Sequence, residues 1–67
     1  MSTAVAPPVD RLLYTPEQAA EALAIGRSTL YELMAAGVLK YIKLGRCRRI
    51  RRTDLENYVA SLAPLPN

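Results

Sequence analysis

Residues 15–37 carry the punctuation that most restricts the fold: a helix start at Thr15-Pro16-Glu17-Gln18, a break at Ala24-Ile25-Gly26 and a stop at Gly37. Thr15 can accept from the amide three residues on, and Gln18 can reach back to the Thr15 amide. Pro16 suits the first helical position, where no amide hydrogen is needed. A first helix is predicted through about Leu23, with Ala19, Ala20 and Leu23 spaced to face a core. A second is predicted from about Arg27 to Ala36, ended by a left-handed exit at Gly37. Its inward positions are Leu30, Leu33 and Met34, which leaves Arg27, Ser28, Tyr31 and Glu32 pointing outward.

Two helices joined by a three-residue turn containing glycine form a helix-turn-helix. Beyond Gly37 the apolar period changes from helical to alternating, through Tyr41-Ile42-Lys43-Leu44, a two-residue turn near Gly45-Arg46, and Cys47-Arg48-Arg49-Ile50. The predicted hairpin buries Ile42, Leu44 and Ile50 on one face. It projects Lys43 and Arg49 outward on the other, with Arg46 at the tip. Thr53-Asp54-Leu55-Glu56 reads as a second capping box, opening a last helix that packs through Leu55, Val59 and Leu62 while Tyr58 covers an edge. The fold class is therefore mostly α with a small β-hairpin wing, a winged helix-turn-helix. Residues 1–11 are expected to form a flexible arm, 12–62 the domain and 63–67 a flexible tail, because Pro7, Pro8, Pro64 and Pro66 interrupt any period there.

Charge makes the wing the candidate binding surface. From Leu33 to Thr53 there is no acid, while Lys40, Lys43, Arg46, Arg48, Arg49, Arg51 and Arg52 supply seven of the nine basic residues. One side of the molecule then favours a polyanion. Each exposed wing cation can neutralise a phosphate and release its counterions. Exposed cations also guard a strand edge against aggregation, but seven without a compensating acid exceed that need. The start of the second helix is the candidate reader. Arg27 can make a bidentate contact to guanine, and Ser28 or Thr29 suits a phosphate oxygen. Tyr31 can serve as a contact or as a half-buried platform, and Glu32 can accept from cytosine, pair with a neighbouring base or sit in solvent. Thr15, Arg51 and Arg52 are further candidates for phosphate contact.

Other chemistries have little material. The single cysteine, Cys47, has no partner for a disulfide and is expected to be buried, and with no histidine there is no zinc set and no nucleophile–base pair. No metal, no cofactor and no catalytic activity are expected, and Glu17, Glu21 and Glu32 fit helix surfaces better than a paired acid–base site. At 67 residues a chain buries only about 60% of its unfolded surface, which disfavours a deep pocket. The absence of a signal-peptide pattern and of a membrane-length apolar run leads to the expectation of a cytoplasmic protein with no membrane partner.

The segments Leu13-Tyr14-Thr15-Pro16-Glu17-Gln18-Ala19-Ala20, Gly26-Arg27-Ser28-Thr29-Leu30-Tyr31, Lys43-Leu44-Gly45-Arg46 with Arg49-Ile50, and Thr53-Asp54-Leu55-Glu56-Asn57-Tyr58 together resemble the excisionase family of MerR-like winged helix-turn-helix domains. The resemblance covers nearly all of residues 12–62. It implies reader roles for Arg27, Ser28, Thr29 and Tyr31, and wing roles for Lys43, Gly45, Arg46 and Arg49. Three positions depart from the pattern: Gly26 replaces a capping serine, Arg48 stands where an aromatic is frequent, and Glu32 where a basic residue is common. The implied activity is that of a recombination directionality factor that binds double-stranded DNA beside a phage attachment site and biases an integrase towards excision. Further copies are expected side by side on the DNA. A small transcription regulator is the alternative from the same groove contacts, and an adaptor with a basic face is the alternative from another class. No effector-binding region or long dimerisation helix is expected after Leu62.

Overall fold

The computed structural model describes residues 11–65, so the expectations for residues 1–10 and 66–67 lie outside the described residues. The order of elements is β1 (Leu13–Tyr14), α1 (Pro16–Leu23), α2 (Arg27–Ala35), β2 (Ile42–Leu44), β3 (Cys47–Arg51) and α3 (Arg52–Ser61). The fold is a winged helix-turn-helix with three helices and a three-stranded antiparallel sheet in the order β1-β3-β2.

The first capping box forms as its residues dictate: the Gln18 amide donates to Thr15 Oγ1 at 3.1 Å, and the Thr15 amide donates to Gln18 Oε1 at 3.0 Å. Helix α1 closes on Ala24, a non-glycine residue held at φ 58°. The break between the helices therefore costs on the order of 1 kcal/mol of backbone strain. Gly37, at φ 76°, makes the left-handed exit from α2, and the amides of Val38 and Leu39 turn back onto the Leu33 carbonyl.

The core joins all three helices to β3. Ala19 and Ala20 of α1, Leu30 and Met34 of α2, Leu39, Ile50 of β3 and Leu55 of α3 form one buried cluster, against which Tyr14, Leu23, Leu33, Tyr31 and Tyr58 pack in part. Alanines at 19 and 20 let α1 approach its neighbours closely, so the long side chains of Leu30, Leu39 and Ile50 reach full burial around them.

Several sequence expectations are corrected. Leu13–Tyr14 adds a third strand to the two of the expected hairpin, paired to β3 with Leu13 opposite Arg51 and Tyr14 opposite Ile50. In the hairpin, Ile42 lies opposite Arg49, Lys43 opposite Arg48 and Leu44 opposite Cys47. Opposed residues share a face, so Ile42 and Leu44 stand on the face away from Ile50. The two-residue turn causes this: closing Leu44 onto Cys47 fixes every later pair and puts Lys43 and Arg48 together. Leu44 is exposed, and so is Cys47, which was expected to be buried.

Helix α3 also begins earlier than its sequence pattern indicates. Arg51 is the cap residue and Asp54 the third helical residue, and the Asp54 carboxylate accepts from the Arg51 amide at 3.3 Å. The expected Thr53–Glu56 box does not form; Glu56 instead pairs with Arg52, one turn away, at 3.4 Å. Val59 and Leu62, expected in the core, remain more than half exposed. Val59 lines an open groove of about 450 Å³ between α3 and the end of α1, with Leu55 and Leu23, and is not closed over there.

Candidate nucleic-acid interface

The candidate reader begins where α2 meets solvent. Gly26 caps the helix in an extended conformation, φ −74° and ψ 159°, and supplies no side-chain acceptor. The amides of the first turn are therefore uncapped by side chains and lie at the positive end of the helix dipole, an arrangement suited to an anion. Arg27, Ser28 and Thr29 are all exposed around that end, and Glu32 is exposed one turn on. Tyr31 is half-buried against the core, with its hydroxyl turned towards Glu17.

An acidic residue not counted among the site residues sits within this surface. Glu17, near the start of α1, places Oε2 3.4 Å from Arg27 Nη2, and the Tyr31 hydroxyl donates to the same oxygen at 3.5 Å, the outer edge of hydrogen-bond distance. The sequence hides this contact because the residues lie ten and fourteen positions apart on two helices. Only the angle of the turn brings them together.

The wing presents its cations in two sets. Lys43 and Arg48 share one face, and the Arg48 guanidinium lies over the ring of Tyr41, 5.6 Å from its centroid. Arginine at 48 thus gains a packing partner in place of the aromatic frequent there, and Tyr41 joins the wing surface through it. Arg49 is on the opposite face with Ile42, half-buried, and donates from Nη1 to the Arg48 carbonyl at 2.8 Å. The expectation that Lys43, Arg46 and Arg49 stand together is corrected accordingly. Arg46 is exposed in the turn beside Gly45, whose φ of 63°, followed by a negative φ at Arg46, has the sign pattern of a type II′ turn.

The remaining phosphate candidates are already engaged. Thr15 Oγ1 accepts the α1 cap bond. Arg51 grips Asp54 through two bonds, Nε to Oδ2 at 2.9 Å and Nη2 to Oδ1 at 2.8 Å. Asp54 is 5% exposed, and the Arg51 side chain holds its carboxyl below the usual range against the opposing effect of burial. Arg51 ends β3 and Arg52 opens α3. Among the described residues no cluster of His, Cys, Asp and Glu is placed to hold a metal ion, and no helix is long and apolar enough to cross a membrane.

With this geometry in place, the sequence matches the helix-turn-helix domain family over residues 13–63. The chain belongs to that family. As a helix-turn-helix DNA-binding domain it has a short first helix, a tight turn and a second helix open at its N-terminus. The domain is also 43% identical over 53 residues to a protein of Saccharopolyspora erythraea named "Probable excisionase", a match covering 79% of this chain and 54% of that protein. The chain thus spans about half the length of the curated relative it matches, and the match agrees with the excisionase resemblance of its motifs. No solved structure matches the domain.

Proposed function

We propose that this domain is a sequence-specific double-stranded DNA-binding excisionase, which binds near a phage attachment site and biases an integrase towards excision. One observation carries the DNA-binding part: an uncapped reader helix and a wing bearing exposed Lys43, Arg46 and Arg48 are built on one core, with no acid between Leu33 and Thr53 to oppose a phosphate backbone. Arg27, Ser28, Thr29 and Tyr31 meet the major groove, with Glu32 at its edge. Lys43, Arg46 and Arg48 neutralise phosphates, Gly45 shapes the turn that aims them, and Arg49 supports the wing from its other face. The name of the Saccharopolyspora erythraea relative supports the excisionase part. A module this small reads a short half-site, so several copies side by side are needed for useful affinity.

Incubating the purified protein with sheared DNA of its source genome at moderate salt, then sequencing what it retains, tests this reading. Clustered tandem sites flanking an integrase attachment site are expected. Sites confined to promoters would replace the excisionase by a transcription regulator, and recovery of no DNA would leave a basic-faced adaptor.

A further inference from the structure

We propose that Glu17 is a positioning residue that sets specificity by holding the reader side chains until a matching base edge replaces it. The inference rests on the DNA-reading assignment above and adds a residue to it. Glu17 is the single acid in contact with both Arg27 and Tyr31 among the described contacts, and it reaches them from the other helix of the pair. Its carboxylate directs the Arg27 guanidinium back towards the start of α1, and it does so while half-exposed, with its side chain 51% accessible and that of Arg27 69%.

Three physical consequences follow. An exposed ion pair of this geometry is weak enough to exchange for a better-placed acceptor. While it lasts, it cancels the one positive side chain of α2, so a random stretch of phosphates gains less from this surface than that cation alone indicates. A lone phosphate oxygen offers Arg27 little more than Glu17 already does, whereas a guanine edge offers two aligned acceptors and draws the guanidinium away. The residual carboxylate then repels any misplaced phosphate, which penalises the wrong register more than the right one. An acid paired with the reader helix's only cation thus lowers general affinity and raises discrimination. Its position at the α1 N-terminus also favours a negative charge through the helix dipole, but that contribution acts on stability and leaves the ratio between two DNA sequences unchanged.

The test compares the whole chain with its Glu17→Gln and Tyr31→Phe variants on two probes, a short duplex of random sequence and the duplex that the unaltered protein enriches from a randomised pool. Glutamine keeps the shape and removes the charge. Glu17→Gln is expected to bind the random duplex about five- to tenfold more tightly near 0.1 M salt, with a log–log salt slope steeper by about one. The enriched duplex is expected to gain less, about twofold or under, so the specificity ratio falls. Tyr31→Phe, which removes one of the two contacts to the carboxylate, should move the ratio the same way by about twofold or less. If Glu17→Gln shifts both duplexes equally, or leaves the slope unchanged, the role of Glu17 is overturned while DNA binding stands. If the unaltered protein retains neither duplex, the DNA-binding assignment falls first and this inference with it.

Discussion

Asp54 shows how one side chain can fasten a strand to a helix. It is buried, it takes both nitrogens of the Arg51 fork, and it accepts the amide at the start of α3. The Arg51 side-chain bonds lower its folded pKa, whereas an unfolded aspartate titrates near 3.9 by ordinary reference values. The unfolded chain then binds the proton more readily than the folded one. The contribution is complete above the unfolded value and is lost as pH falls through the folded value, so stability should decline from about pH 5 downward. Asp54→Asn is expected to cost about 1–2 kcal/mol at neutral pH and to flatten that acid decline, as measured by denaturant titrations at a series of pH values. The sequence marks Asp54 only as part of a Thr53–Glu56 box. Its real partner is invisible there, because Arg51 reads equally well as a free phosphate ligand.

At the scale of elements, two glycines that look alike in the sequence have opposite roles. Gly45 sits at φ 63° in the wing turn, where a side chain is strained whatever space surrounds it. Gly26 sits at an ordinary φ of −74° with nothing within 4 Å of where a Cβ would stand. Gly45→Ala is expected to destabilise by about 1 kcal/mol, and Gly26→Ser to stabilise by a few tenths through a new cap bond. Thermal melts of the two variants should shift in opposite directions. Equal shifts would mean that the turn geometry, and with it the register that pairs Lys43 with Arg48, is misassigned. This register was within reach of the sequence: once Gly45-Arg46 is accepted as a two-residue turn, the pairs follow by counting. The alternation of Ile42, Leu44 and Ile50 conceals it, because apolar residues on both strands invite placement on one face.

The whole molecule rests on a small shared core, which makes its stability sensitive to single leucines. Leu39 is fully buried between Gly37 and the wing, although it belongs to neither helix nor strand. Leu39→Ala is expected to cost about 2–4 kcal/mol, against a total of about 3–5 kcal/mol for a domain of this size. Cooperative melting should be largely lost, and DNA retention with it. Val59→Ala, in the open groove, should stay within about 0.5 kcal/mol of the parent, because a half-exposed side chain leaves no cavity. A calorimetric scan of both variants checks the contrast. A mild Leu39→Ala would show that the wing and the helices do not depend on a common core.

Local chemistry, read from the sequence, determined the helix start at Thr15-Pro16-Glu17-Gln18, the exit at Gly37, the two-residue wing turn and the excess of cations beyond Leu33, because each acts within a few residues of chain. Those features suffice to specify a winged helix-turn-helix and the side on which its positive charge is concentrated. Tertiary structure alone decided that β1 completes the sheet, that Asp54 rather than Thr53 secures α3, that Val59 and Leu62 lack a cover, and that Glu17 meets Arg27 and Tyr31. Each of these depends on the angle and length of elements distant in sequence. Packing sets those quantities, through how closely α1 can approach over Ala19 and Ala20 and where it stops, and no local propensity encodes them.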